Sequence, residues 1–131
     1  MKKATPFLMF QNADAEEAMT FYTSIIEDLE ITSINRYGAE GPGEEGTVMT
    51  ATFTIKGQEF MCIDSHIKHG FTFTPAFSIF LECTSEEEID SLYEKLLDGG
   101  SALMPLGNYG FSQKFGWVND RFGVSWQMTL G

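Results

Sequence analysis

The sequence predicts an α+β fold made of two tandem β-α-β-β-β units whose curved sheets enclose a cavity. An apolar run, an acidic helix start and an amphipathic segment occur over residues 7–29 and again over 77–97. Both copies keep the same eight-residue spacing from the helix cap to a tyrosine. Each copy later reaches a glycine turn followed by an apolar strand, at 57–61 and at 123–127. Two such units bury their sheets and helices better together than one alone, which favours a paired architecture.

The first copy begins with an apolar segment, 6–12, that reads as a buried strand. Asp14 is a helix cap, and Glu17 three residues later completes a predicted capping box. Apolar residues then recur at helical spacing and predict a helix over 15–28. The β-forming residues around Lys56-Gly57 predict a hairpin. The other strands of this unit are predicted at 31–38, 47–56 and 58–65.

The second copy repeats this order with a strand at 76–83 and a second capping box, Ser85 with Glu88. The helix that follows carries apolar residues at helical spacing without a miss and ends at Gly99-Gly100. Three short strands at 101–105, 113–119 and 124–130 complete the unit. We therefore predict a single domain, 1–131, built of two repeats at about 1–70 and 71–131.

Composition narrows the class of protein. A net charge of −11 argues against nucleic acid, which is bound by neutralising phosphates with Lys and Arg. The chain lacks an apolar run long enough to span a membrane, and its start lacks the apolar stretch of a signal peptide, so we expect a cytoplasmic protein. Cys62 and Cys83 both lie in apolar strands and are expected to be reduced core residues.

A family resemblance is found in five blocks of the chain, 5–10, 13–22, 95–100, 104–105 and 115–127. The last block is the most specific, because it places aromatic residues, a turn and a strand at fixed spacings from one another. In these blocks the chain resembles the PhnB-like branch of the vicinal oxygen chelate superfamily. That superfamily includes glyoxalase I, fosfomycin-resistance proteins and extradiol dioxygenases. The branch also carries the name 3-demethylubiquinone-9 3-methyltransferase, but nothing in the sequence supports methyl transfer, because no glycine-rich strand–turn–helix is present.

The resemblance implies where a metal would be held, since metal-using relatives place His, Glu or Gln ligands on the first and last strands of each unit. The matching positions in this chain are Phe7, Met61, Phe77 and Gln127. Only Gln127 offers an oxygen, whereas divalent cations need several N, O or S ligands. We therefore expect no metal and no other cofactor. His66 and His69, three residues apart in a polar connector, are expected to be exposed and without a role.

Other side chains are candidates for lining the cavity. Glu59 shares the strand face of Met61 and is a candidate carboxylate, while Trp126 is expected to face away from Gln127. The Gly-rich yet aromatic stretch 106–113 could close over an apolar ligand. The predicted ligand-binding residues are Phe7, Met9, Glu59, Met61, Phe77, Tyr109, Phe111, Trp117 and Gln127.

Three functions remain open from the sequence. The first is metal-free binding of a small, partly apolar molecule, with Gln127 as its polar anchor. The second is a glyoxalase-like enzyme (a lyase, isomerase or dioxygenase) that uses a recruited metal or acid–base groups such as Glu59 and Tyr109. The third is a packed dimeric domain without a functional cavity. The resemblance also implies a homodimer.

Overall fold

The computed structural model describes all residues, 1–131, and the chain divides into two compact units, Met1–Thr72 and Phe73–Gly131. Unit 1 contains β1 (Phe7–Phe10), α1 (Ala15–Ile25), β2 (Leu29–Arg36), β3 (Val48–Ile55) and β4 (Gln58–Asp64). Unit 2 contains β5 (Ile79–Cys83), α2 (Glu86–Leu97), β6 (Ser101–Gly107), β7 (Lys114–Asn119) and β8 (Ser125–Leu130). The predicted fold class, α+β with two β-α-β-β-β units, is confirmed. That the two units form one domain stays a prediction.

The two sheets have the same topology. Unit 1 has the strand order β1-β4-β3-β2, and unit 2 has the order β5-β8-β7-β6. In each sheet the first and last strands of the unit run parallel, and the other neighbours are antiparallel. Each sheet is open, with two edge strands.

The core of each unit lies between its helix and one face of its sheet. In unit 1 the buried face of α1 (Ala15, Ala18, Met19 and Tyr22) packs on the sheet, and the rings of Phe53 and Phe60 stack there at 5.3 Å. In unit 2 the buried residues Ile89, Leu92 and Leu96 of α2 contact β7 and β8, where Trp126 and Met128 are fully buried. Since strand side chains alternate, the other face of each sheet is left uncovered by its own helix. We call it the open face of the unit.

The start of α1 differs from the predicted capping box. Asp14 is not extended, with φ −118° and ψ 16°, and its side chain makes no capping hydrogen bond. The Ala15 N–H instead donates to Oδ1 of Asp64 at 2.9 Å, and the other oxygen of Asp64 accepts the Val48 N–H at 2.8 Å. The capping function therefore comes from the end of β4, a distant part of the sequence. The box predicted for Asp14 and Glu17 is wrong.

The start of α2 follows the prediction more closely. Ser85 is extended, and its hydroxyl accepts the Glu88 N–H at 3.1 Å. The Glu88 carboxylate reaches back to the Thr84 N–H at 2.8 Å, one residue earlier than a capping box requires.

Several predicted boundaries are also wrong. Strand β2 spans Leu29–Arg36 rather than 31–38, and β6 ends at Gly107 rather than at 105. Helix α1 ends at Ile25 rather than at 28, because Ile26 is extended and Asp28 adopts a φ of +60°. Strand β5 begins at Ile79 rather than at 76, so Phe77 precedes the strand. None of the helices is long and apolar enough to cross a membrane.

Candidate binding face

On the open face of unit 2, the side-chain amide of Gln127 lies between two aromatic residues. Gln127 lies on β8, beside Phe80 on β5 and opposite Trp117 on β7. Phe80 is 54% exposed, and Trp117 and Gln127 are half-buried. Trp126, the neighbour of Gln127 along the strand, is fully buried on the helix side, as its opposite register predicts.

The polar partners on this face are unevenly distributed. The Trp117 indole N–H donates to the Ser125 hydroxyl at 2.8 Å, and Ser125 lies 2.7 Å from the Ser78 hydroxyl. These bonds fix the plane of the Trp117 ring. The side-chain amide of Gln127, in contrast, makes no hydrogen bond within the chain and can offer both a donor and an acceptor to a ligand.

A three-ring cluster, Tyr109, Phe111 and Phe115, stands at one end of unit 2. Phe111 contacts Phe115 edge-on at 5.0 Å and stacks with Tyr109 at 6.2 Å. Phe115 is buried, but Phe111 is 64% exposed. The loop is anchored by the buried Ser112, whose hydroxyl lies 2.6 Å from the Thr129 hydroxyl and within hydrogen-bond distance of two strand carbonyls. The cluster is therefore a fixed aromatic wall in this structure.

The open face of unit 1 is also largely apolar. Phe7 pairs with Met61, and Met9 pairs with Ile63, across the parallel strands β1 and β4. Phe7 is 50% exposed, and the other three are half-buried. Glu59 lies on the same face of β4, as predicted.

The two candidate acid–base groups already have partners. The Glu59 carboxylate accepts hydrogen bonds from Lys3 at 2.6 Å and Thr5 at 3.4 Å. The hydrogen bond from Lys3 is the main cause that lowers the pKa of Glu59 below its usual value, so the carboxyl is ionised and a poor proton donor at neutral pH. The Tyr109 hydroxyl donates to the Pro105 carbonyl.

The residue of unit 2 that corresponds to Phe7 is Phe80 and not Phe77, the residue predicted from the sequence. Phe77 is 53% exposed and lies outside the sheet, whereas Phe80 occupies the position beside Gln127 that Phe7 occupies beside Met61. The reason is loop length: four residues, 11–14, separate β1 from α1, but only two, 84 and 85, separate β5 from α2. Counting back from the helix tyrosine therefore passes beyond the strand in the second copy.

With this correction, the positions at which the resemblance implied metal ligands are Phe7, Met61, Phe80 and Gln127. Their donor chemistry, one amide oxygen and one thioether, does not fit a divalent cation. No three His, Cys, Asp or Glu side chains are grouped as a metal site elsewhere in the chain. His66 instead contacts the Tyr37 ring edge-on at 6.3 Å, and His69 lies 3.4 Å from the Ser65 hydroxyl.

Sequence reasoning missed three residues of the unit 2 face: Phe80, Ser125 and Ser112. Phe80 could have been found by counting from the short Thr84-Ser85 link rather than from the tyrosine. The two serines give no signal in the sequence, because their role depends on strand register and on bonds across the sheet.

Two repeated units of this topology form a glyoxalase-like fold. A family model described as 3-demethylubiquinone-9 3-methyltransferase matches residues 2–129. A PhnB protein from Bacillus cereus is 61% identical over 99% of this chain and 100% of that one, with a TM-score of 0.94. The chain belongs to this PhnB-like family, the 3-demethylubiquinone-9 3-methyltransferase family, as the sequence blocks indicated.

More distant structures share the fold. Protein PA1353 from Pseudomonas aeruginosa is 26% identical over 99% of this chain and 98% of that one, with a TM-score of 0.83. The fosfomycin resistance protein FosX from Listeria monocytogenes is 14% identical over 100% of this chain and 93% of that one, with a TM-score of 0.66, which shows the fold alone. Among curated proteins no match is found.

Proposed function

We propose that the protein binds a small, partly apolar, ring-containing molecule without a metal, on the open face of unit 2. The observation that carries the proposal is the Gln127 amide, which has no partner in the chain and lies between Phe80 and Trp117. Binding sites commonly combine apolar and aromatic walls with a few polar groups that orient the ligand. This face has that composition.

The chemistry of the face restricts the ligand. Aromatic side chains favour a flat ring through stacking or edge contacts. A carbonyl on that ring would accept from the Gln127 amide nitrogen, and a hydroxyl or amide would donate to its oxygen. The family description names a demethylubiquinone, and a quinone ring has this combination of a flat ring and carbonyl acceptors. The net charge of −11 disfavours polyanions.

The fold gives no support to the methyl transfer in the family description. A doubly wound nucleotide-binding sheet uses a glycine-rich turn between a strand and a helix. Here the links before the helices are Gln11-Asn12-Ala13-Asp14 and Thr84-Ser85, which contain no glycine. Acid–base catalysis is likewise unsupported, because Glu59 and Tyr109 are held by Lys3 and Pro105.

We also propose that the protein is a homodimer. Large apolar side chains that are half exposed or more and lie outside the proposed ligand site, among them Phe7, Phe71 and Phe77, are costly to leave in water and suit an interface with a second copy. One chain has a mass of 14.7 kDa, and light scattering during size-exclusion chromatography should give twice that mass. A single-chain mass across the micromolar range would contradict this.

The two free cysteines support the expectation of a reducing, cytoplasmic setting.

The function is tested by calorimetric titration with acetophenone, benzamide and 2,3-dimethoxy-5-methyl-1,4-benzoquinone, followed by related ring ketones, amides and quinones. We expect at least one of these classes to bind. Gln127→Leu should weaken binding about tenfold, because one net hydrogen bond is worth about 1 kcal/mol or slightly more. Gln58→Leu, the same change on β4 of unit 1, is the matched control and should leave binding unchanged.

Measuring the metal content of the purified protein tests whether binding is metal-free. Protein purified without chelator should contain no stoichiometric divalent ion. A bound ion whose removal abolishes ligand binding would contradict the metal-free proposal, as would ligands that bind Gln127→Leu as tightly as the original chain.

A further inference from the structure

Unit 1 has a hollow whose lining differs from that of its open face. It has a volume of about 470 Å³ and lies where the parallel strands β1 and β4 end, beside the start of α1. Its walls come from the loop after β1, the loop before β3 and the segment after β4. Phe7 and Met61, which form the open face, are not among its lining residues.

Opposite charges line this hollow without pairing. Lys68 and Glu44 both contribute to its walls, yet neither belongs to any of the five ion pairs of the chain. Their charged atoms are therefore more than 4.0 Å apart, the limit for an ion pair. The other carboxylate of the lining, Asp64, has both oxygens occupied by the Ala15 and Val48 N–H groups. Lys68 and Glu44 therefore remain as two charges of opposite sign without an ion pair, which are complementary to a ligand that carries both.

Hydrogen bonds hold the Lys68 side chain and the Glu44 backbone in place. The Lys68 ammonium donates to the Gln11 carbonyl and to Oδ1 of Asn12, the latter at 3.0 Å, and retains a third hydrogen. The backbone of Glu44 is fixed by Thr47, whose N–H and hydroxyl donate to the Glu44 carbonyl at 3.1 and 2.7 Å. The Lys68 ammonium and the Glu44 backbone are thus held on separate segments, and the Glu44 carboxylate makes no hydrogen bond within the chain.

Two further features point to a binding site. Ala13, in the lining, has a φ of +58°, a conformation that costs energy for a non-glycine residue and is concentrated at functional sites. The His66 imidazole also lines the hollow and makes no hydrogen bond within the chain, so it can donate to or accept from a ligand.

We propose that this hollow binds a small zwitterion, a free amino acid, with its carboxylate at Lys68 and its ammonium group at Glu44. A simple anion would meet the carboxylate of Glu44, and a simple cation would meet the ammonium of Lys68. A zwitterion satisfies both charges. The site is separate from the ring-binding site proposed for unit 2, so either can fail without the other.

The experiment is a titration of the full-length, ¹⁵N-labelled protein with each of the twenty standard amino acids, observed by NMR. At least one amino acid should shift the backbone resonances of 11–13 and 65–68 saturably, with a dissociation constant below about 10 mM. The amino acid that binds most tightly is compared with the two analogues that lack its ammonium or its carboxylate group and keep one charge each; for alanine these are propionate and ethylammonium. The same titration with Gln127→Leu should be unchanged, which distinguishes this site from that of unit 2.

Two variants localise the charges. Lys68→Gln and Glu44→Gln should each weaken amino-acid binding about fivefold or more, the effect of one partly exposed ion pair. Glu45→Gln, beside Glu44 but outside the lining, and Lys95→Gln, a lysine of α2 without an ion pair, are the controls and should bind normally. The proposal is overturned if no amino acid binds, if an analogue with only one of the two charges binds as tightly as its parent amino acid, or if both variants bind like the original chain.

Discussion

Trp117 and Gln127 lie directly opposite each other on the antiparallel strands β7 and β8, so an indole ring and a free amide meet on the open face of unit 2. The indole N–H is occupied by Ser125, whereas the amide has no partner within the chain. The ring is fixed and the amide is available. This difference underlies the first prediction.

Replacing Gln127 should lower ligand affinity while leaving the stability of the fold nearly unchanged. Because its side chain makes no internal hydrogen bond, Gln127→Leu should change the free energy of unfolding by no more than about 0.5 kcal/mol. Urea denaturation measures this change beside the calorimetric loss of ligand affinity. A loss of several kcal/mol would show that Gln127 is a structural residue and would remove the anchor from the proposed site.

Asp64 should be far more important for stability. It is 4% exposed and accepts two backbone N–H groups, from Ala15 and Val48, so truncation leaves both donors buried and unpaired. We expect Asp64→Ala to lower the free energy of unfolding by about 3 kcal/mol. Asp90→Ala, which removes an exposed ion pair with Lys114 from helix α2, should cost about 0.5 kcal/mol or less. Equal effects for the two variants would contradict the capping role of Asp64.

Gly100 is required by close packing. A Cβ at this position would meet the Asn119 carbonyl oxygen at 2.0 Å, and that oxygen belongs to the backbone and cannot rotate away. Gly100→Ala should therefore destabilise the protein by about 2 kcal/mol. Gly70→Ala is the matched control, because a Cβ there meets nothing within 4 Å and the backbone is not left-handed. Thermal unfolding should show a lower midpoint temperature for Gly100→Ala than for Gly70→Ala, and equal midpoints would contradict the close packing at Gly100.

The cysteines should be unreactive while the protein is folded. Burial raises the pKa of Cys62 from 9.0 to about 12 and that of Cys83 to about 11, so thiolate is scarce at pH 8. A disulfide reagent should label neither thiol at pH 8 until urea is added. Rapid labelling of the folded protein at pH 8 would contradict the burial of the thiols.

The same shifts predict how stability depends on pH. Between pH 9 and about 11 the unfolded chain loses thiol protons that the folded chain retains. The folded state then binds more protons, so the contribution of the thiols, fully present below pH 9, falls as pH rises. Urea denaturation from pH 8 to 11 should show a steeper loss of stability than in a Cys62→Val, Cys83→Val variant. Identical slopes would contradict the prediction.

Local patterns in the sequence predicted most of the fold. The Lys56-Gly57 hairpin, the Ser85 cap and the alternation that buries Trp126 but not Gln127 all depend on residues close together in the chain. The family resemblance was carried by the same kind of local block, and it is confirmed.

The errors arose where distant segments decide the structure. Asp14 looked like a cap, but Asp64 takes the Ala15 N–H because β1 and β4 pair in parallel and bring the end of β4 to the helix. Spacing alone indicates Phe77, but a link two residues shorter places Phe80 beside Gln127 instead. The charged hollow of unit 1 was not predicted, because its walls come from three separate segments.

The most direct test of metal-free ring binding is an NMR titration that follows three side-chain signals. A bound ring ketone or quinone should shift the Gln127 side-chain amide and the Trp117 indole N–H together and saturably. The Trp126 indole, fully buried and bonded to Asp120 at 2.8 Å, should stay unchanged and serves as the internal reference. If the Gln127 and Trp117 signals do not move, or move only after a divalent metal is added, the account is contradicted.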